Sequence, residues 1–100
     1  MDTKQLLIDA KARFSHLTAK AQLKDKYMSR LLIADQGGLW LATPEIIAFL
    51  SSGEPTVVIV DTFNNPVKVD RVALVNRLSV TYKEVMGHWH AEWTSLEKKR

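Results

Sequence analysis

Leu7, Ala10, Phe14, Leu17, Ala21, Met28 and Leu31 recur at alternating intervals of three and four, with position 24 the one gap. A seam of this period marks an amphipathic helix of coiled-coil character. Asp2 or Thr3 offers a cap for its start. Gly37-Gly38 supply the residues that most readily leave a helix in a left-handed conformation. The pattern therefore predicts a helix over about 3–35, roughly 50 Å long at 1.5 Å per residue. Lys24-Asp25-Lys26 places charge in the seam, so the helix either kinks or splits there, or carries a polar pair that sets register against a partner helix.

The middle of the chain changes period. Leu39-Trp40-Leu41-Ala42 is an apolar run of strand length, and Thr43-Pro44-Glu45 reads as N-cap, first-position proline and first-turn acid of a short helix. That helix, Pro44 to about Leu50, has Ile46, Ile47, Phe49 and Leu50 on most sides and is expected to be buried, with Ser51-Ser52-Gly53 ending it. Thr56 to Val60 is β-branched throughout, which predicts a strand covered on both faces or central in a small sheet. Asn64-Asn65-Pro66 is a turn and Val67-Lys68-Val69 a returning strand, so the two form a hairpin with residues 39–42 as a candidate third strand. Asp70 then caps a second long helix, about 70–97, with Val75, Leu78, Tyr82, Val85, Met86, Trp89, Trp93 and Leu96 at the same three-and-four spacing. Gly87 inside it costs about 1 kcal/mol of helix propensity, which points to another backbone close by or to a local bend. The fold class expected is α+β and mainly helical. Two long terminal amphipathic helices pack antiparallel around an insert, about 38–69, of one short helix and a hairpin of two or three strands, in a single domain over 1–100.

Length and composition limit what this architecture can do. One hundred residues, 46% hydrophobic and 25% charged, suffice for one core, and the absence of cysteine excludes a disulfide framework, a zinc knuckle and a thiol nucleophile. The opening MDTKQLLIDAKARF carries charge throughout and has no apolar signal core, and no window reaches the length of a membrane span. An intracellular, cytoplasmic protein with no membrane partner is expected. The formal charge of +3 hides a division into three. Residues 1–35 and 71–100 are basic and residues 36–70 acidic, with Lys68 the one cation against Glu45, Glu54, Asp61 and Asp70. Basic ends suit nucleic acid or an acidic partner; the plainer reading is that long cationic side chains keep helical flanks in water.

Little in the chain carries chemistry. His88 and His90 are two apart on a helix and point about 200° away from each other, so they cannot share one ion. Glu84, His88 and Glu92 do share a stripe, which would hold a metal only with further ligands from another copy; a solvated face is the ordinary reading. His16 flanks the first seam. No serine lies in a nucleophile elbow, and Gly37-Gly38 lacks the spaced glycines and lysine of a phosphate loop, leaving it the role of a helix C-cap. Asp61 at a turn and Asp70 at an N-cap have structural tasks, with an acid–base pair between them the alternative. No cofactor, metal or small-molecule substrate is expected. The interface positions read from the two seams are Phe14, Leu17, Met28, Leu31, Trp89, Trp93 and Leu96, since aromatic residues on a helix longer than its domain serve either the core or a partner. The basic ends share no single stripe and no aromatic interleaving; Lys20, Lys24, Lys98, Lys99 and Arg100 are the candidate nucleic-acid contacts.

Arg30-Leu-Leu-Ile-Ala-Asp-Gln-Gly-Gly-Leu-Trp40, Ala42-Thr-Pro-Glu-Ile-Ile-Ala-Phe-Leu50 and Val57-Val-Ile-Val-Asp-Thr-Phe-Asn-Asn-Pro-Val-Lys-Val-Asp-Arg71 resemble small proteins carried by large contractile-tailed phages. The resemblance covers about 40 residues, contains no catalytic motif and implies a phage-encoded accessory or structural protein without an active site. The order helix, hairpin, helix is also similar to prefoldin-like chaperone subunits at the level of fold, from which the helix at 44–50 departs. The function expected is that of a non-enzymatic interaction or assembly protein, homo-oligomeric or bound to another protein through its seams. The alternative is a nucleic-acid accessory protein acting through its basic ends.

Overall fold

The computed structural model describes residues 3–98. They form α1 (Thr3–Arg30), β1 (Leu32–Asp35), β2 (Gly38–Leu41), α2 (Pro44–Leu50), β3 (Thr56–Val60), β4 (Pro66–Asp70) and α3 (Arg71–Lys98). The expected class stands: two long terminal helices, antiparallel, flank a small insert containing one short helix and β-hairpins. The molecule is a rod with principal extents of 65 × 24 × 18 Å.

The insert departs from expectation at its start. The first helix ends at Arg30, not near residue 35, because Leu32–Asp35 pairs antiparallel with Gly38–Leu41. Gln36 (φ 49°) and Gly37 (φ 79°) are the two left-handed residues of the connecting turn, the geometry that matches the twist of a two-residue hairpin. The glycine pair is therefore a hairpin turn and a strand start, not a helix C-cap. Gln36 is held in this conformation by a two-way bond to the backbone of Asp70: its amide donates to Asp70 O (3.2 Å) and its Oε1 accepts from Asp70 N (2.7 Å). Residues 39–42 thus belong to a first hairpin of their own, while β3 and β4 make a second two-stranded sheet.

Asp61 fastens the two hairpins together. Its Oδ1 accepts from Phe63 N and Asn65 N (2.9 and 3.0 Å) and closes the loop between β3 and β4. Its Oδ2 accepts from Leu39 N of β2 (3.1 Å). These amides, that of Asn65 foremost, hold the carboxyl of the buried Asp61 below its ordinary value although burial pushes it the other way. Asp70 lies at the opposite end of the second hairpin, paired with Thr56, and caps α3 through Ala73 N (3.1 Å). The two carboxylates do not meet, so the acid–base alternative falls away.

Thr43 caps α2 as the sequence predicts, accepting from Ile46 N. At the other end, Arg71 donates to Leu50 O, the last carbonyl of α2, and to Glu54 O in the loop beyond it (both 2.9 Å), which ties both to the start of α3. The core sits where all elements meet. Tyr27, Leu31, Ile33, Trp40, Leu50, Val69, Leu74 and Leu78 are buried there, and Trp40 donates Nε1–H to Asp35 O (2.8 Å). Two expectations of burial fail. On α2 only Leu50 is fully buried and Phe49 faces solvent. On β3, Val57 and Ile59 turn inward while Val58 and Val60 are bare. A two-stranded sheet has one face against the core, so a run of β-branched residues must leave alternate side chains outside. Gly87 has nothing within 4 Å of where a Cβ would lie, so no close backbone explains it, and α3 runs through it as one helix.

Candidate interaction surfaces

The long helices pack through a different face of α1 from the one its seam predicts. Lys26 Nζ bonds Glu92 Oε1 (2.8 Å), the Tyr27 hydroxyl donates to the same oxygen, and Tyr27 stacks on Trp89 with ring centroids 6.5 Å apart. Further along, His16 and Lys20 both reach Glu97 Oε1, at 3.2 and 2.5 Å. His16, Lys20, Leu23 and Tyr27 recur at intervals of three and four and form the face against α3. At 100° per residue the seam of Leu7, Ala10, Phe14 and Leu17 lies roughly a third of a turn away. Lys24-Asp25-Lys26 leaves α1 unbroken, and the polar pair it supplies is Lys26–Glu92 within the chain.

These contacts also fix how far the helices overlap. Glu97 stands next to Lys98, the described end of α3, and it meets α1 at His16 and Lys20. Residues 3–15 of α1 therefore extend past the described end of α3 by roughly 20 Å. Phe14 is 72% exposed, Leu17 64% and Leu7 59%, with Leu6 and Ile8 also more than half exposed. Leu6 and Ile8 fall outside the three-and-four pattern, so periodicity alone does not single them out.

The sequence-derived interface residues divide accordingly. Phe14 is free surface on the projecting segment, and Leu17 is exposed at its base, beside His16. Leu31 is a core residue just past α1 and Met28 packs against that core, so both already have partners in this chain. Trp89 is half-buried against Tyr27, and Leu96 lines the junction of the long helices with Ala19 and Leu23. Trp93 is 41% exposed, beneath Lys20 Nζ (5.4 Å to the ring centroid) and stacked on His90. Of the cationic positions, Lys20 is engaged by Glu97 and Trp93, Lys24 and Lys98 are exposed, and Lys99 and Arg100 lie outside the described residues.

A second apolar surface escapes a reading based on burial. Between α2 and β3, Ile46, Phe49, Val58 and Val60 line a groove with Glu45 at its rim. Phe49, Val58 and Val60 are each more than half exposed. The sequence signal is in Thr56–Val60, a strand whose outer face has Thr56 as its one polar residue beside Val58 and Val60. Among the described residues β3 has β4 on one edge and no strand on the other.

Electrostatics at the helix junction serve packing. Lys20 foremost, with His16, holds the Glu97 carboxyl below its ordinary value, and Lys26 and Tyr27 do the same for Glu92. The shared hydrogen bond to Glu92 raises Lys26 and Tyr27. Among the described residues no three His, Asp or Glu side chains form a group able to hold a metal ion, the Glu84–His88–Glu92 stripe included. No described helix is long and apolar enough to cross a membrane. No family model matches the chain, and neither a curated protein nor a solved structure matches it.

Proposed function

We propose that this chain is a non-enzymatic assembly protein that associates with further copies of itself through the uncovered apolar face of the α1 overhang. The observation that carries the reading is the exposure of Leu7 and Phe14 on a helix segment beyond the described end of its partner helix, with Leu17 exposed at its base. An isolated helix of 12 to 15 residues is marginal in water, and most helical stability in proteins comes from packing an amphipathic face. An apolar face of this extent at the tip of a rod is the signature of an interaction site. The phage likeness of residues 30–71 is compatible with an accessory or structural role of this kind. The basic ends support nucleic-acid binding less well, since Lys20 is already occupied by Glu97 and Trp93.

Sedimentation velocity of the full chain across the micromolar range tests the reading. The wild type is expected to sediment as species heavier than the 11.4 kDa monomer, and Phe14→Ser with Leu17→Ser as the monomer. A wild type that remains an elongated monomer overturns it.

A further inference from the structure

The overhang carries Lys4, Lys11 and Arg13 against the single acid Asp9, whereas the head, residues 31–70, carries Asp35, Glu45 and Glu54, besides Asp61 and Asp70 whose carboxylates are bonded to backbone amides, against Lys68. Among the described residues Lys4, Lys11 and Arg13 form no ion pair, and neither do Asp35, Glu45 and Glu54. Two overhangs laid together, or two heads, would set like charge on like. An overhang laid on a head sets opposite charges together and so gains in both encounter rate and specificity. Both surfaces are also apolar. Leu7 and Phe14 lie two turns apart, about 10.5 Å, in the i, i+3, i+7 pattern of a helix that seats in a groove. The groove between α2 and β3 runs beside a five-residue strand, roughly 16 Å long. Its apolar lining of Ile46, Phe49, Val58 and Val60 is bordered by Glu45, and Lys68 stands opposite Val58 on the neighbouring strand. α1 is a single helix that leaves the head at Arg30 and points its other end away along a 65 Å rod, so the overhang cannot reach the groove of its own chain.

We propose that the overhang of one copy docks in the α2–β3 groove of the next, head to tail. This rests on the reading above that the overhang self-associates, and adds where it lands. Such a contact is heterologous: every added copy presents a fresh groove and a fresh overhang, so assembly continues as an open chain unless the rotation closes it into a ring. Association weakens as salt rises, because the steering charges are exposed.

Mixing two variants tests the proposal, both checked by circular dichroism for an unchanged fold. The tail variant is Phe14→Ser with Leu17→Ser, and the head variant is Phe49→Ser with Val58→Thr; all four side chains are exposed. In sedimentation velocity each variant alone is expected to be monomeric, and an equal mixture is expected to give a dimer and nothing longer, since the pair retains one intact overhang and one intact groove. A head variant that assembles like the wild type, or a mixture that stays monomeric, overturns the head-to-tail contact and leaves self-association through the overhang standing. A monomeric wild type overturns both. Glu45→Lys provides a readout independent of hairpin integrity. It is expected to weaken association roughly tenfold, and adding Lys11→Glu and Arg13→Glu in the same chain is expected to restore it. No weakening, or weakening without restoration, counts against the groove.

Discussion

Tyr27 of α1 and Trp89 of α3 lie nearly parallel, 9° between ring planes and 6.5 Å between centroids, and are the main aromatic clasp between the long helices. Tyr27 is buried by this contact while its hydroxyl reaches out to Glu92, so one residue joins the apolar and polar parts of the junction. Trp89→Ala removes the stacking partner and opens a gap beside Tyr27. It is expected to lower unfolding free energy by about 2–3 kcal/mol, less than the loss of a fully buried tryptophan. Urea denaturation in the Phe14→Ser, Leu17→Ser background measures this without interference from association.

Stability is expected to fall on both sides of a plateau from about pH 5 to about pH 9. The carboxyls of Asp61, Glu92 and Glu97 titrate below their ordinary values of 3.8, 4.5 and 4.5 in the folded protein. The unfolded chain therefore takes up protons first, and their contribution, present above those values, is lost as pH falls toward the folded ones. Tyr27 and Lys26 titrate above their ordinary 10.0 and 10.5, so their contribution is present below those values and lost as pH rises past the folded ones. Asp61→Asn leaves one acceptor oxygen for three amides. It is expected to destabilise at neutral pH and to flatten the acid limb of a urea-midpoint profile, while Glu92→Gln flattens both limbs.

Two glycines are expected to respond oppositely to alanine. A Cβ on Gly38 would stand 2.5 Å from Trp40 Cζ2, inside the ring that covers the β2 backbone, so Gly38→Ala forces the buried indole to move and costs about 1–3 kcal/mol. At Gly87 the same Cβ meets open space on a continuous helix. Gly87→Ala is expected to stabilise the protein by about 1 kcal/mol through helix propensity alone. Thermal unfolding of the two variants beside the wild type decides the signs.

Period and capping made the long helices, α2 and the second hairpin legible in the sequence, because Thr43, Asp70 and the three-and-four spacings act locally. The first hairpin was hidden. Leu31 continues the helical seam in period, and Gly37-Gly38 suits a helix end as well as a turn; only pairing with residues 38–41 separates the two. The direction of the α1 seam was hidden as well. The seam is the strongest apolar stripe of α1, but a weaker set, His16, Lys20, Leu23 and Tyr27, faces α3 because Glu92, Glu97 and Trp89 supply specific partners there. Periodicity reports that a face is apolar, not which neighbour covers it. The same limit led from the β-branched residues of Thr56–Val60 to an expectation of two-sided burial.

The overhang gives the last prediction. Among the described residues, 3–15 are helical with no helix beside them beyond the end of α3, and so few residues have little intrinsic stability as a helix. Their amide hydrogens are expected to exchange rapidly at high dilution and to become protected as concentration rises, in step with the mass measured by light scattering. Amides of the core strands, such as those of Ile33 and Val69, are expected to show constant protection over the same range, since their stability belongs to the single chain. Concentration-independent protection of residues 3–15 would mean that the segment holds its helix unaided, and the physical case for a covering partner would then be lost.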